Sequence, residues 1–450
     1  MISAFVNSFK IPELRNRLIF TLGILALCRL GAAIPVPGVD ATVLSDYFAQ
    51  VIEKQQTGNI IGMLNIFSGG AIENCAIFSL NVMPYITASI IFQLLTAVVP
   101  TLQKVAKEEG GRQKINQYTR YATVIICLFQ SYLLAINFEH PDTIFQGIEG
   151  QIVTSPGMMF RITTMITLTT GTMLMMWLGE RITEKGIGQG VSLLIAGNIL
   201  ARFPSAIHNG WTLYMDPTRS FNPVHLFLFV GFFFGVIAAV VIITQAVRKI
   251  TVQHAQRMVG RKVAPGGQTF LPLRVNYSGV MPIIFASAIL MFPNMIQTMA
   301  HNDTVAMVLN LVAMGSPGHM IVYAIMVFFF SYFWVATVFN PIEIADNLKK
   351  YSAYIPGVRP GKPTAEFLDY TMIRLTFAGA TALTVVAIIP DSLYGFLKID
   401  YTVASFFGGT SLLIVVGVLL DTLRQVETHL ITRNYEGFLS KGKIRGRGRL

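Results

Sequence analysis

The sequence predicts an all-α polytopic membrane protein of ten transmembrane helices, and three observations carry that prediction. Of 450 residues, 53% are hydrophobic and only 13% charged, with a mean hydropathy of +0.58, whereas a soluble domain carries about a quarter charged residues. Ten apolar runs of about 18 residues or more, the length a bilayer core demands, lie at 18–34, 76–99, 119–137, 157–178, 187–207, 224–247, 277–299, 319–340, 372–389 and 405–423. With the N-terminus inside, 28 of the 34 lysines and arginines fall on one side, and only Lys54, Arg202, Arg219 and Lys398 fall in outer loops. Because Lys and Arg gather on the cytoplasmic side, both termini are expected there. Arg29 and Arg161 lie near the outer ends of spans 1 and 4.

The N-terminal tail, 1–17, holds Lys10, Arg15 and Arg17 ahead of an apolar run. That pattern is superficially a signal peptide, but the run continues past Arg29 into IPVPGVD without a small-residue cleavage site, so it reads as a retained first span. Pro35 and Pro37 end it, since proline removes a donor and clashes with the preceding turn.

The stretch from Gly58 to Pro100 has one formal charge, Glu73, and is too long for a single span. It breaks at Ser68-Gly69-Gly70, with Asn65, Glu73 and Asn74 nearby, giving a short apolar half-helix over 60–68 and then the span at 76–99. The half-helix has two readings. It lies at the membrane surface, or it is a re-entrant plug held in protein or a wet cavity, because its ends cannot face lipid unsatisfied.

Loop 2/3, KVAKEEGGRQKINQYTRY, is a solvated turn around Gly110-Gly111. Span 4 is rich in Thr and Met and passes through LGERITEKGIGQG into span 5, where Gly186, Gly188 and Gly190 suit a sharp turn and close helix packing. Span 6 is a Phe, Val and Ile surface for lipid or packing. The cytoplasmic loop 246–276 carries Arg248, Lys249, Arg257, Arg261, Lys262 and Arg274 with no acidic residue from 246 to 275. The loop 341–371 is longer than a connection requires, and long ordered loops are usually functional. The tail 424–450 ends KGKIRGRGRL, a basic, Gly-rich sequence expected to be flexible near anionic surfaces.

These features exclude some chemistry. No Walker A motif, zinc-ligand set, nucleophile elbow or dinucleotide fingerprint stands in a usable context, so no cofactor, no nucleotide binding and no enzymatic activity are expected. The seven histidines form no metal pair, and Cys28, Cys75 and Cys127 show neither metal nor redox spacing; no disulfide is expected. The net charge of +11 belongs mostly to the inner face and suits anionic lipids or acidic or RNA-containing partners. No Asp, Glu, Lys or His lies near the middle of any span, which counts against a proton-coupled transporter. A polytopic secondary transporter for a small solute, with a neutral-lined sodium site, stays open as the alternative. A conduit for polypeptide needs a path polar enough for a passing chain yet closed to ions at rest, and an aliphatic throat that excludes ions by dewetting meets the second demand.

Several long stretches resemble the SecY family, the channel subunits of the bacterial Sec protein translocase. They are RLGAAIPVPGVD from Arg29, FSGGAIENCAIFSLNVMPYITASIIFQLL, KINQYTRY, LGERITEKGIGQG, FLPLRVNYSGVMPIIFASAILMFP, FNPIEIADNLKK, IPGVRPGKPT and FFGGTSLLIVVGVLLD. The resemblance runs from about Leu14 to Phe438 and implies two inverted five-helix halves, 18–207 and 208–423, around a central pore with a short plug helix. An odd number of spans per half gives repeats opposite orientations.

The resemblance implies a pore ring of Val82, Ile86, Val191, Ile195, Ile284 and Ile414, each of which reads equally as a packing residue from hydropathy alone. It implies a plug over about 60–74, with Ile60, Ile61, Met63, Leu64, Asn65, Phe67, Gly69 and Gly70; Glu73 departs from the neutral or basic residue the family pattern leads one to expect. Thr87, Gln93, Asn276 and Phe292 fall at or near the lateral gate between spans 2/3 and 7/8. There they would either hydrogen-bond across the gate or serve as caps and packing. Partner docking is implied for Arg257, Arg261, Lys349, Lys350 and above all Arg359, because arginine binds carboxylate or phosphate bidentately. SecE and SecG are the implied companion subunits, and the SecA ATPase or the ribosome the source of energy. Secretory preproteins with their signal sequences are the implied cargo, at a bacterial plasma (inner) membrane.

Overall fold

The structure is a computed structural model, and it describes residues 11–40, 42–44, 65, 68–108, 110–141, 152–215, 223–254, 257–259, 262–264, 267–297, 316–397 and 410–441. Apolar segments that leave water must satisfy their own backbone groups, so each predicted run becomes a helix. In order, spans 1 to 4 are Pro12–Gly31, Met83–Val98, Gly111–Glu139 and Met158–Lys185. Span 5 is Gly190–Ala201 continued by Phe203–Met215, span 6 Pro223–Gln245, span 7 Met281–Gln297, span 8 Pro317–Val338, span 9 Lys362–Leu397 and span 10 Thr410–Lys441. Proline sits in the first turn of spans 1, 2 and 8, where its missing N–H would go unpaired in any case. The Ser316 hydroxyl caps span 8 by accepting from the His319 amide.

By length and apolarity alone, five helices among the described residues are able to cross a membrane. They are Gln113–Glu139, Met158–Lys185, Gly190–His208, Pro317–Lys350 and Lys362–Ile389, and the pair Met83–Val98 and Pro100–Ala106, bent by 105°, makes a sixth. Spans 1 and 10 bear charges at their cytoplasmic ends, including Arg15, Arg17, Asp421 and Arg424. Spans 6 and 7 contribute the shorter apolar helices Val230–Gln245 and Met281–Leu290.

Three boundaries differ from expectation. Span 2 becomes helical at Met83 rather than 76, because residues 69–82 are a chain of turns with positive φ at Gly69, Gly70, Cys75 and Asn81. Span 10 does not give way to a tail at 424 but stays helical to Lys441. No Gly or Pro lies between Arg424 and Gly437, and Val426 and Leu430 pack against Leu14, Leu18 and Ile187. The cytoplasmic loop 246–276 is also not all loop. Val247–His254 (β1) pairs antiparallel with Gln268–Arg274 (β4), and Ala353–Tyr354 (β5), from the loop after span 8, adds to the other side of β1. A second small hairpin pairs Arg257–Val259 (β2) with Lys262–Ala264 (β3).

The packing of the spans repeats. In the N-terminal half spans 1 and 4, 2 and 3, 3 and 4, 4 and 5, and 1 and 5 are in contact. In the C-terminal half the counterparts five spans later do the same: 6 and 9, 7 and 8, 8 and 9, 9 and 10, and 6 and 10. The halves meet where equivalent spans touch, 2 against 7 and 5 against 10. Five spans per half and this duplicated pairing give the two inverted halves.

Candidate functional site

The residues expected to form the ring lie on the four spans at the two seams, 2, 5, 7 and 10. Val82 and Ile86 open span 2, Ile195 lies in span 5, Ile284 in span 7 and Ile414 in span 10, and all five are buried in a single apolar cluster that both halves fill. Ile414 and Val82 are wholly inaccessible and Ile86 is 5% exposed, so aliphatic side chains close the middle of the particle. Val191 is half-buried at the edge of the same cluster. Its methyl comes to 3.2 Å from where a Cβ would stand at Gly179 of span 4, so this side chain serves the contact between spans 4 and 5.

On the side of the cluster that faces the loop 246–276 lies a cavity of about 490 Å³. Val280 and Val418, one helical turn from Ile284 and Ile414, form its apolar side, and Ser192, Thr244, Arg274 and Gln425 are among its polar lining. Arg424 donates to the Thr244 carbonyl at 2.9 Å and lies 3.6 Å from Asp421. A polar-lined cavity thus adjoins the buried apolar cluster through Val280 and Val418.

Of the expected plug residues, Ile60, Ile61, Met63, Leu64 and Phe67 lie outside the described residues, while Asn65, Gly69 and Gly70 are placed. Two arginines bracket this glycine pair. Arg29 of span 1 donates to the Gly69 carbonyl at 2.8 Å and to the Asn198 carbonyl of span 5 at 3.3 Å. Arg202, in the step that divides span 5, forms an ion pair with Glu73. A Cβ at Gly69 would stand 2.6 Å from the Arg29 guanidinium, and one at Gly70 2.5 Å from that of Arg202. Both glycines also have positive φ, +67° and +92°. Only glycine admits that backbone together with so close an approach. Asn65 completes the arrangement: its Nδ2 donates to the Glu73 carboxylate at 3.0 Å and its Oδ1 accepts from the Glu73 amide at 3.3 Å. The following strand of turns is laced to the end of span 1, with Val36 N–H donating to Cys75 O and Ile77 N–H to Ile34 O.

The gate residues bond locally. Thr87 donates to Met83 O at 3.1 Å, Gln93 to Ser89 Oγ at 3.3 Å and Asn276 to Gly279 O at 3.0 Å. Spans 2 and 7 touch, but these three side chains satisfy their own segments rather than bridging the seam. Phe292 lies within the span 7 helix.

Among the expected docking residues, Lys349 and Lys350 are exposed in the last turn of the helix Pro341–Lys350. Arg359 is exposed in a turn with positive φ at Gly357 and Gly361, and the Thr364 hydroxyl fixes its carbonyl at 2.8 Å. Arg257 falls in β2, and Arg261 lies outside the described residues. Strand β5, between Lys350 and Arg359, binds this loop to β1, and Tyr354 OH donates to Gln253 at 2.9 Å. The sheet escaped the sequence reading, although KITV and TFLPL carry the β-branched and aromatic residues of strands. The Arg29, Arg202 and Glu73 cluster escaped it as well, because no local spacing links residues so far apart in the chain.

A family model described as SecY matches residues 76–423. The protein translocase subunit SecY of Thermotoga maritima is 41% identical over 450 residues, covering 99% of this chain and all of that protein. The protein of the same name from Escherichia coli K12 is 43% identical over 442 residues, 97% of this chain and 96% of that one. Among solved structures, one described as a protein conducting channel superposes with a TM-score of 0.63 at 16% identity, over 95% of this chain and 94% of the other. Another, described as Sec61 in a canine ribosome-channel complex, gives 0.59 at 16% identity over the same shares.

Proposed function

The chain belongs to the SecY family, and from that premise we propose that it is the protein-conducting channel subunit of a Sec translocase. It passes unfolded secretory polypeptides across the bacterial plasma membrane and releases apolar segments to lipid between spans 2 and 7. The observation that carries this reading is the junction of a polar-lined cavity with one aliphatic cluster drawn from both halves. A throat of aliphatic side chains yields to an extended chain without offering fixed partners, and it re-excludes ions when empty.

The plug is the segment 60–74, and the lateral gate is the 2/7 seam, where the lack of cross-seam bonds from Thr87, Gln93 and Asn276 lets an apolar helix part the halves. The chain conducts and does not catalyse. Its energy comes from SecA or the ribosome docking on the basic loops, with Arg359 the principal contact, Lys349, Lys350, Arg257 and Arg261 supporting it, and SecE and SecG as companions in the bilayer. The 28-to-4 distribution of cationic residues supports cytoplasmic termini.

The test is crosslinking of a stalled secretory precursor to cysteines at 86, 195, 284 and 414, with outward-facing positions of span 6 as controls. Crosslinks at all four and none on span 6 are expected. A precursor that reaches none of the four in a folded, partnered protein overturns the conduit and leaves uptake of a small solute as the activity to assay.

A further inference from the structure

Asn81 and Asn198 meet among the residues of the apolar cluster that holds the ring. Asn198 Nδ2 donates to Asn81 Oδ1 at 3.1 Å, and the two residues are 5% and 2% exposed. Asn81 comes immediately before Val82, and Asn198 lies three residues after Ile195, one turn on along the same face of span 5. Each amide therefore adjoins a ring residue, and their bond crosses from the start of span 2 to span 5. Both ends are held by further contacts. Asn81 has a φ of +53°, a left-handed backbone that Asn adopts more readily than most side chains, and its N–H donates to Phe78 O at 2.9 Å. The Asn198 carbonyl accepts from Arg29 of span 1 at 3.3 Å.

We infer that Asn81 and Asn198 are a positioning pair, which holds Val82 and Ile86 of span 2 in register with Ile195 of span 5. The N-terminal part of the ring is then one jaw of fixed shape, and the throat opens by movement of Ile284 and Ile414 relative to it. The inference rests on the reading of this cluster as the throat of a conduit. Aliphatic neighbours repack among themselves at little cost, so they do not by themselves fix one register. An amide pair does, because either partner that slips away is left buried without a hydrogen bond. The bond lies within one half, so it need not break when the halves part. The C-terminal half joins its own ring spans by another means. Spans 7 and 10 touch, and a Cβ at Gly417 of span 10 would stand 2.2 Å from a methyl of Val280, just ahead of span 7. That contact is apolar, and it leaves the second jaw freer to adjust.

The experiment uses the full-length chain with its companion subunits, and it reads export of a secretory precursor into inverted vesicles. Asn81→Cys and Asn198→Cys are combined with alanine at Cys28, Cys75 and Cys127. Cysteine accepts the backbone needed at position 81, since Cys75 already has a φ of +44°. Oxidation is expected to bridge the pair and to leave export at the rate of the reduced protein. A bridge that stops export overturns the fixed jaw, and a bridge that never forms in the folded protein overturns the contact. In a second arm, Asn198→Leu is expected to raise export of precursors with weakened signal sequences roughly fivefold, the factor that one net hydrogen bond is worth. Asn81→Gly with Asn198→Leu strands no amide and keeps the left-handed turn. Thermal stability is expected to return in that double variant while the relaxed selectivity persists. Recovery of stability and selectivity together would make the pair merely structural and overturn its positioning role, as would unchanged selectivity in Asn198→Leu. If the unaltered chain, folded and partnered, exports nothing, the conduit itself fails and the inference with it.

Discussion

The backbone N–H of Gly188 donates to the side-chain oxygen of Gln425 across 2.9 Å. One residue lies in the turn between spans 4 and 5 and the other on span 10, so the bond joins the two halves at the 5/10 seam. Around it Ile187, Leu14, Leu18 and Val426 close an apolar cluster. The 5/10 seam is therefore stitched at the end where spans 4 and 5 turn, while Thr87, Gln93 and Asn276 at the 2/7 seam bond within their own segments.

Gln425→Ala is expected to lower stability by about 1 kcal/mol, the scale of one net hydrogen bond. Gly188→Ala is expected to be worse, by roughly 1–2 kcal/mol for the left-handed backbone alone. Its φ is +90° and the new Cβ would stand 2.6 Å from Leu193 and 3.0 Å from Thr422. Thermal unfolding of the purified protein in detergent ranks the two; equal stability would refute this account of the turn.

Charge reversal at Arg359 is expected to abolish SecA-driven export while folding is retained, because the side chain is exposed and only the carbonyl of this residue is used internally. Thr364→Val, which removes the bond to that carbonyl, is expected to reduce export several-fold by loosening the loop, a change of about 1 kcal/mol. Initial rates of precursor import into inverted vesicles check both, and normal rates for the Arg359 variant would exclude its role in docking.

Ile414→Asn places an amide in the fully buried cluster at the constriction. An unpaired amide there destabilises the closed arrangement by about 1–3 kcal/mol. Export of precursors with weakened signal sequences is the readout, and it is expected to rise. Unchanged selectivity in a stably folded variant would remove Ile414 from the ring.

The two ion pairs that join spans 3 and 4 should separate by burial. At one end the Glu139 side chain is 2% exposed and receives both Arg161 and the Gly157 amide, so Arg161→Ala strands a buried carboxylate and is expected to cost about 3 kcal/mol. At the other end the Arg120 side chain is 45% exposed opposite Glu180, and Arg120→Ala is expected to cost less than about 1 kcal/mol. Chemical denaturation of both variants decides this, and a larger loss from Arg120→Ala would reverse the argument.

Legibility followed the range of the forces involved. Span positions and orientation depend on length, apolarity and the side on which Lys and Arg lie, all written locally, and a helix formed at each of the ten places. The ring positions Val82, Ile86, Ile195, Ile284 and Ile414 came from motif resemblance and lie in one cluster. The gate residues were expected at the 2/7 seam, but which atom Thr87 or Asn276 would bond depends on rotamer and turn geometry. The helix start at Met83 was obscured because turns with positive φ at Cys75 and Asn81 are written in ordinary apolar residues. Glu73 looked anomalous because its partner is 129 residues away. A charge out of place in a family motif was itself the signal to look for one.

The small cytoplasmic sheet has a mechanical consequence. Strand β1 leaves span 6 and β4 leads into span 7, with Val275 N–H donating to Ala246 O at their base. Strand β5, lying between spans 8 and 9, is hydrogen-bonded to β1. One end of each of four consecutive spans, 6 to 9, is thus riveted to a common plate. A push delivered to the loop bearing Arg359 is spread at once over spans 6 to 9, so the C-terminal half answers as a lever arm and its duplicate as the frame against which it works.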